Sequence, residues 1–403
     1  MLYSDSQLIE EIQKCARCGY CREKDNHDLC PVRSIIGFES SYARGKLHLA
    51  QLCLNDGSEQ VTRNIIKKFY LCALCGNCFK HCPLNINTPK IITELRSKFL
   101  EKYNPLHDPG VIKNIVSNIC HNPAIINNFI SNKGKIEPTL YLLNKDQEDF
   151  LFFSGCMDEH NKDSLESIFK IFNYLGIKVS RLKQRVRCCG LPLSEFGDKN
   201  FLLTRISDNM NLFLKFGVKK IIVNCPGCLY AFKEYYCTDT DSELKFIHLT
   251  EFLNDNMDIL NSENGLQATY HDPCLLGRYL GIYEAPRQLL SKMGISLKEM
   301  PRTKEESYCC GGGSLSLMYP EISREISKSR VSEAKKTGSP ILLTSCSQCK
   351  RTLAEGNDQG IEILELTELL ATILDKVPVF DVNYPLRIGP EISRHLIGQE
   401  MEE

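Results

Sequence analysis

Short apolar runs alternate with stretches of helical periodicity through the second half of the chain. The runs predict buried strands over residues 150–153, 177–181, 220–223, 268–270, 295–300 and 341–344. Apolar residues at helical spacing predict helices between them, over residues 164–175, 200–216, 285–293 and 322–336. Strands that alternate with helices in this way are typical of α/β units with parallel sheets.

The predicted elements occur twice in the same order, which indicates an internal tandem repeat. The ends of the two copies also agree, since the segment LTEFL at residues 249–253 matches LTELL at residues 366–370. We therefore expect one α/β domain over residues 149–260 and a second over residues 261–375. Residues 376–403 are polar and predict a peripheral tail.

The first part of the chain has a helical pattern instead. Helices are predicted over residues 7–14, 44–54, 59–69 and 88–103. Residues 1–104 therefore predict a small all-helical domain. Proline and glycine interrupt residues 105–148, which predict an irregular connector with one or two short helices between residues 108 and 130. The whole chain is predicted to be an α+β multidomain protein.

Composition and charge exclude several classes of function. The 403 residues carry a net charge of −1 with both signs interspersed, so the sequence predicts no surface for nucleic acid. It contains no apolar run of about 18 residues, and residues 1–20 lack the pattern of a signal peptide. We expect a cytoplasmic protein that reaches a membrane only through a partner. Its 21 cysteines are then expected to be reduced and bound to metal.

Eight cysteines before residue 83 have the spacing of a two-cluster ferredoxin. In such proteins three cysteines of a C-x2-C-x2-C run bind one cubane [4Fe–4S] cluster, and the fourth binds the other cluster. The predicted ligands are Cys15, Cys18, Cys21 and Cys82 for one cubane, and Cys72, Cys75, Cys78 and Cys30 for the other. Residues 23–29 form a polar, loop-like insertion ahead of Cys30. A zinc ribbon is the alternative, although zinc sites lack this threefold spacing.

Ten further cysteines follow the tandem repeat and form two sets of five. The first CCG set is Cys156, Cys188, Cys189, Cys225 and Cys228, and the second CCG set is Cys274, Cys309, Cys310, Cys346 and Cys349. Consecutive members are separated by 31, 0, 35 and 2 residues in the first set and by 34, 0, 35 and 2 residues in the second. Two patterns that agree this closely indicate metal ligands rather than inert buried thiols.

Five thiolates exceed the four that a cubane cluster needs. The fifth is either a spare cysteine or a ligand of an opened cluster, in which one thiolate bridges two irons. Adjacent cysteines can bind neighbouring irons only if the backbone turns sharply, which Gly190 and Gly311 permit by accepting positive φ. Zinc on four thiols of one set is the alternative, and it would remove redox chemistry from that half.

The remaining candidate residues are few. Cys53, Cys120 and Cys237 are expected to be small buried apolar residues. His271 and Asp272 lie near the second CCG set and are candidate proton donors, although the histidine is as readily explained by a hydrogen bond to the backbone. The glycine run at residues 311–313 lacks G-x-G-x-x-G, so no flavin or nicotinamide site is predicted.

The order of these motifs resembles the family of heterodisulfide reductase D-type subunits of methanogens, over residues 1 to about 375. The chain is also similar to the iron–sulfur subunits of glycolate and other 2-hydroxy-acid oxidases, and to the C-type subunits of anaerobic glycerol-3-phosphate dehydrogenases. The shared signatures are RGKL at residues 44–47, YHDPC at residues 270–274 and LGR at residues 276–278. Leu275 departs from them, because a histidine is common at that position in the oxidase subunits.

The resemblance implies a cofactor content and a reaction. In heterodisulfide reductases each complete CCG set holds a noncubane [4Fe–4S] cluster, and the paired clusters cleave the disulfide of coenzyme M and coenzyme B. All ten CCG cysteines are present here, which implies two cubanes feeding two noncubane clusters that reduce a disulfide such as CoM–S–S–CoB. The alternative is an electron-transfer subunit of a flavin-linked dehydrogenase for lactate, glycolate or glycerol 3-phosphate.

The resemblance also implies partners. Electrons would be exchanged with an FAD-linked flavoprotein, or with a membrane cytochrome or hydrogenase-type subunit. A small-molecule disulfide or thiol would be the further ligand.

Overall fold

The computed structural model describes residues 3–55, 61–108, 140–141, 150–177, 179–182, 188–215, 217, 219–236, 244–258, 260 and 265–375. Most of the expected connector, including nearly all of its predicted helices, and the whole expected tail lie outside these residues. Cys120 and Cys237 also lie outside them. Cys53 is buried, as predicted.

The N-terminal part of the chain is mainly helical, as predicted. Its helices are α1 (Asp5–Gln13), α2 (Pro31–Ile36), α3 (Ala43–Asn55), α4 (Arg63–Tyr70), α5 (Asn77–Lys80) and α6 (Thr88–Lys98). Ser4 caps α1, because its hydroxyl accepts a hydrogen bond from the backbone N–H of Gln7. Helix α6 ends at Lys98 rather than at residue 103, and a short 3₁₀ turn follows at Pro105–His107.

The insertion ahead of Cys30 is a small antiparallel hairpin rather than a loop. It consists of β1 (Glu23–Lys24) and β2 (His27–Asp28). Asp25 and Asn26 at its tip both have positive φ, as a two-residue hairpin turn requires. The inserted residues therefore stay at the surface, and Cys30 becomes the N-cap residue of α2.

The first α/β unit is built on a mostly parallel sheet. Its described strands are β3 (Leu140–Tyr141), β4 (Phe150–Phe153), β5 (Ser180–Leu182), β6 (Lys220–Val223) and β7 (Lys245–His248). The spatial order is β3-β5-β4-β6-β7. Strands β5, β4, β6 and β7 pair in parallel, whereas β3 pairs antiparallel with β5 at one edge. The prediction of irregular connector is therefore wrong at residues 140–141.

The second α/β unit repeats this arrangement. Its strands are β8 (Gln267–His271), β9 (Ser296–Leu297), β10 (Ile341–Thr344) and β11 (Glu362–Glu365). All pair in parallel in the order β11-β10-β8-β9, which matches β7-β6-β4-β5 of the first unit and confirms the tandem repeat. Strands β5 and β9 are shorter than predicted. The apolar pattern does not predict β7 and β11, because each begins with an exposed charged residue and leads directly into a helix.

Helices flank both sheets. In the first unit they are α7 (Cys156–His160), α8 (Lys162–Tyr174), α9 (Leu191–Glu195), α10 (Lys199–Lys215), α11 (Pro226–Ala231) and α12 (Leu249–Asn256). In the second they are α13 (Glu284–Lys292), α14 (Ser314–Met318), α15 (Pro320–Lys335), α16 (Ser347–Glu355) and α17 (Leu366–Leu374). Helices α8, α10, α13 and α15 confirm the predicted ones. No helix within the described residues is long and apolar enough to cross a membrane.

One hydrophobic core joins the two α/β units. Phe152 and Ile222 from the first sheet and Tyr270 and Leu343 from the second belong to the same cluster of buried apolar side chains. Helices α8 and α17, one from each unit, pack directly against each other. Because apolar area from both units is removed from water in one core, each unit stabilises the other.

Arg96 on α6 connects the helical part with both α/β units. Its side chain is fully buried. The guanidinium donates hydrogen bonds to the backbone oxygen of Cys72 at 2.8 Å, to that of Glu195 at 2.6 Å and to the hydroxyl of Ser314 at 3.0 Å. Glu195 ends α9 of the first unit, and Ser314 begins α14 of the second. Three parts of the molecule therefore meet at one side chain.

Candidate metal centres

The two ferredoxin-like loops share one local backbone conformation. Residues 15–21 read CARCGYC and residues 72–78 read CALCGNC. The residues on either side of the middle cysteine have positive φ in both loops, with 56° at Arg17, 91° at Gly19, 49° at Leu74 and 76° at Gly76. These left-handed residues reverse the chain twice within seven positions. Each loop thereby turns its three cysteines toward one cavity.

The first of these cavities is lined by the first cubane set. Its volume is about 370 Å³, part of which is open to solvent. Cysteines from both runs line it: Cys15, Cys18, Cys21, Cys78 and Cys82. Burial raises the pKa of Cys21 to about 11. A thiol in such surroundings becomes a thiolate when a metal ion compensates its charge.

The second cavity, of about 400 Å³, is lined by the other cubane set, Cys30, Cys72, Cys75 and Cys78. Burial raises the pKa of Cys30 to about 12. Lys46 lines the same cavity, donates a hydrogen bond to the backbone oxygen of Ser40 at 2.8 Å, and has its pKa lowered by burial to about 8. In the sequence, Lys46 is recognisable only as part of the RGKL signature. The structure places this buried amine where it can offset the negative charge of thiolates.

The first CCG set lies at the carboxyl edge of the first sheet, where parallel sheets place their ligands. Cys156 begins α7 shortly after β4, and Cys225 is the N-cap residue of α11 shortly after β6. The five thiols contact one another in the order Cys156, Cys188, Cys189, Cys228 and Cys225. Gly155 is required beside them, because a Cβ there would lie 2.7 Å from the sulfur of Cys228.

The second CCG set has the same arrangement at the edge of the second sheet. Its thiols contact one another in the corresponding order Cys274, Cys309, Cys310, Cys349 and Cys346. The sulfurs of Cys310 and Cys349 are 3.4 Å apart. The structure therefore brings all ten predicted CCG cysteines into two matching groups.

The CCG turn has the same geometry in both sets. Gly190 and Gly311 have φ of 93° and 89°, which confirms the predicted left-handed glycines. In each turn the glycine N–H donates a 3.3 Å hydrogen bond to the sulfur of the first cysteine, Cys188 or Cys309. Backbone donors aimed at sulfur stabilise thiolate charge.

The donor sets fit iron–sulfur clusters. No disulfide links the cysteines in the described part of the chain. Each CCG set offers five converging sulfurs, one more than a tetrahedral zinc site uses. The ferredoxin-like cavities are lined by the cysteine combinations that two cubanes require.

The second ferredoxin-like loop lies directly against the second CCG set. The thiol of Cys75 contacts that of Cys309. Arg278 donates a 2.7 Å hydrogen bond to the backbone oxygen of Cys75, and the Tyr279 hydroxyl donates one of 2.6 Å to that of Leu74. Both donors belong to a π-helical turn, Leu275–Tyr279, that follows Cys274. This contact places one predicted cubane set next to one CCG set.

A buried polar network connects the edges of the two sheets. The side-chain amide of Asn224 donates to Asp158 at 3.0 Å and to Glu365 at 3.1 Å. The Ser347 hydroxyl donates to Asp158 at 3.4 Å across the two units. Burial raises the pKa of Glu365. The network holds the CxxC segments of the two units at one interface.

The two candidate proton donors are held by other side chains. Asp272 receives hydrogen bonds from both terminal nitrogens of Arg287, at 2.7 and 2.9 Å. Burial would raise the pKa of Asp272, but this guanidinium outweighs it and the pKa is lowered. His271 accepts a hydrogen bond from Arg330, and burial lowers its pKa. Neither side chain is therefore poised to release a proton near neutral pH.

Comparison with known domains supports the organisation of the chain. The 4Fe-4S dicluster domain matches residues 11–86. The cysteine-rich domain, CCG, matches twice, at residues 150–233 and 268–354. Among solved structures, a hypothetical protein from Helicobacter pylori has a TM-score of 0.57 at 14% identity over 83% of this chain and 69% of that one, which shows a shared fold.

Relatives of known activity cover most of the chain. It is 30% identical to the D-type polypeptide of dihydromethanophenazine:CoB–CoM heterodisulfide reductase from Methanosarcina barkeri, over 91% of this chain and 95% of the relative. It is 25% identical to the B-type polypeptide of fumarate reductase (CoM/CoB) from Methanothermobacter marburgensis, over 91% of this chain and 73% of the relative. It is 26% identical to EtfAB:quinone oxidoreductase of Syntrophomonas wolfei, over 74% of this chain and 45% of the relative.

Proposed function

Since the chain belongs to the family of heterodisulfide reductase D-type subunits, we propose that it is the catalytic iron–sulfur subunit of a disulfide reductase. The helical part would hold two cubane [4Fe–4S] clusters, on the two sets that line the cavities. The two CCG sets would each hold a noncubane [4Fe–4S] cluster, with the disulfide of coenzyme M and coenzyme B as the substrate class.

The observation that carries the proposal is the presence of two complete CCG sets, buried or partly buried, with the same internal contacts. A disulfide needs two electrons and two protons to become two thiols. When bound, the clusters would supply one-electron carriers and iron atoms that can receive a thiolate sulfur. Two equivalent sets therefore suit a substrate that has two equivalent reacting atoms.

The protein supplies position and a dry environment. Arg278 and Tyr279 hold the loop of Cys75 against the second CCG set. This contact favours electron transfer over a short distance from the cubane to the second CCG cluster. The network of Asp158, Asn224 and Glu365 fixes one unit against the other, so the distance and orientation between the two CCG sets are held constant. The CCG cysteines are buried or partly buried, so water has limited access to their sulfurs.

A partner subunit is part of the proposal, because the reaction consumes electrons that this chain must receive. We propose a flavoprotein, or a membrane cytochrome or hydrogenase-type subunit, as the donor. The names of the relatives describe parts of larger oxidoreductases, which supports a donor subunit of this kind.

The second candidate function is an electron relay for a flavin-linked dehydrogenase. The similarity to EtfAB:quinone oxidoreductase favours it, since that name describes electron transfer between EtfAB and a quinone. In a relay the CCG sets would pass electrons without binding a substrate sulfur.

An anaerobic assay separates the two functions. The purified chain is supplied with electrons from reduced viologen and offered CoM–S–S–CoB, and the thiols produced are counted. We expect two viologens to be oxidised for each disulfide cleaved. Absence of disulfide cleavage, together with reduction of the chain by a hydroxy-acid oxidase, would favour the relay instead.

A further inference from the structure

His271 lies beside the sulfurs of the second CCG set. It is the last residue of β8, and its side chain is 1% exposed. One imidazole nitrogen lies within 4.8 Å of the sulfurs of Cys310 and Cys349. Of these two thiols, the ring contacts that of Cys310. The ring therefore faces the adjacent-cysteine turn rather than solvent.

Arg330 determines which ring nitrogen carries the proton. Its Nε–H donates a 3.1 Å hydrogen bond to Nδ1 of His271. A guanidinium can only donate hydrogen bonds, so Nδ1 must accept and the proton of the neutral ring must be on Nε2. Other bonds hold Arg330 in place, to the backbone oxygen of Arg302 at 2.9 Å, to Glu333 at 2.6 Å and to Ser307 at 3.1 Å.

The N–H at Nε2 of His271 has no oxygen or nitrogen acceptor among the described residues. This nitrogen is buried and has no hydrogen-bond partner in the described part of the chain. A buried N–H without a partner is unfavourable, and such groups in native proteins normally have one. The thiol that contacts this ring is that of Cys310.

The first unit has a different residue at the same position. Phe153 ends β4 as His271 ends β8, and each precedes the first cysteine of its set by the same number of residues. Phe153 pairs with Val223 in the strand register, and His271 pairs with Thr344 in the matching place. The fold therefore accepts an apolar ring here, and it does not require the histidine of the second unit.

We propose that His271 is a positioning residue of the second CCG set, whose Nε2–H donates a hydrogen bond to the Cys310 sulfur and raises the reduction potential of the cluster bound there. This inference rests on the proposed function, because it needs an iron–sulfur cluster in that set. A hydrogen bond to a ligand sulfur withdraws negative charge and stabilises the reduced cluster. One position would thereby make the two duplicated centres unequal.

Potentiometric titration of the intact anaerobic protein tests this. His271→Phe copies the first unit and should make the reduction equilibrium of the second CCG cluster at least tenfold less favourable, which is a shift of about 59 mV for a one-electron couple. His271→Gln can still donate a hydrogen bond through its side-chain amide and should recover part of the lost potential. Tyr270→Phe is the matched control, because it removes a buried hydroxyl bonded to Ser345 at 3.1 Å and no donor to sulfur. An unchanged potential in His271→Phe with full iron content would overturn the proposal.

A second measurement does not depend on any variant. The unmutated protein is labelled with ¹⁵N-histidine, reduced, and its second CCG signal is examined by pulsed electron paramagnetic resonance. A weak ¹⁵N coupling together with an exchangeable proton is expected. No histidine coupling, or a coupling as strong as that of a direct iron ligand, would overturn the role given to His271 but would leave the proposed function standing. Absence of iron from the second set would overturn both this inference and the proposed function.

Discussion

Arg96 is the residue at which the helical part and the two α/β units are tied together. Its guanidinium satisfies backbone oxygens from α4, from the second ferredoxin-like loop and from α9, and it also binds the hydroxyl of Ser314. A buried acceptor that loses its donor costs about 1–3 kcal/mol. The arginine therefore stabilises several contacts that lie close to three of the cysteine sets.

Replacement of Arg96 should destabilise the whole molecule. We expect Arg96→Met to lower the free energy of unfolding by about 3 kcal/mol or more, because several buried oxygens lose their donor at once. Anaerobic urea unfolding measures this. Arg324→Met on the exposed face of α15 is the control and should change stability by less than about 0.5 kcal/mol. Equal effects of the two changes would mean that Arg96 does not hold the three parts together.

Cys310 tests whether the two CCG sets act together. Cys310→Ser should alter or remove the second CCG cluster, leave the first one in place, and reduce disulfide cleavage to the background rate, because in the proposed reaction the second substrate sulfur would then have no iron to bind. Iron analysis and thiol release measure the two effects. Cys53→Ser, on α3 and outside all four sets, is the matched control and should leave both unchanged. Normal disulfide cleavage by Cys310→Ser would contradict joint action.

Residue spacing predicts much of the candidate site but not its surroundings. The ten CCG cysteines and the left-handed Gly190 and Gly311 are recognisable because the chain repeats them at equal intervals. The buried state of Lys46 and the bond from Arg330 to His271 are not recognisable in this way. They depend on packing between residues far apart in the chain, for which a single sequence has no periodic signal.

At the scale of elements, the contact between the second ferredoxin-like loop and the turn Leu275–Tyr279 is the critical one. Gly76 has φ of 76°, and a Cβ there would lie 2.9 Å from the ring of Tyr279. The loop therefore approaches the turn as closely as glycine permits. Any larger residue must move Tyr279 away from Leu74, and would thereby lengthen the proposed electron path from Cys75 to Cys309.

Two glycine substitutions separate backbone strain from this contact. Gly37 has φ of 79°, and a Cβ there would have nothing within 4 Å. Gly37→Ala should therefore lower the free energy of unfolding by about 1 kcal/mol through backbone strain alone. Gly76→Ala adds the clash and should also slow electron transfer from the cubanes to the CCG clusters. Rapid-mixing reduction kinetics measure this rate. The same rate in both variants would show that the contact is not on the electron path.

The elements that the sequence predicts best are those with strong periodic patterns. Strands β4, β6 and β10 begin and end at the predicted residues, since each is a short apolar run with distinct ends. Strands β7 and β11 are not predicted, because half-exposed strands that lead directly into helices lack such a pattern. The docking of the turn Leu275–Tyr279 is a tertiary contact and has no local signal.

At the scale of the whole molecule, the duplicated units face each other through their CxxC segments. Cys225 of the first CCG set lies close enough to Cys346 of the second for the charges of the two thiolates to interact. The shared core and the network around Asn224 hold this arrangement. The order of the domains follows from the sequence, but their facing does not, because it depends on which surfaces of the two copies pack together.

The central claim is that both CCG sets hold [4Fe–4S] clusters, in addition to the two cubanes of the helical part. Analysis of iron, acid-labile sulfide and zinc in the anaerobically purified protein tests it most directly. Four clusters predict about sixteen irons per chain and little zinc. About eight irons with one or two zinc ions would contradict the claim, because at least one CCG set would then hold zinc and could not carry electrons.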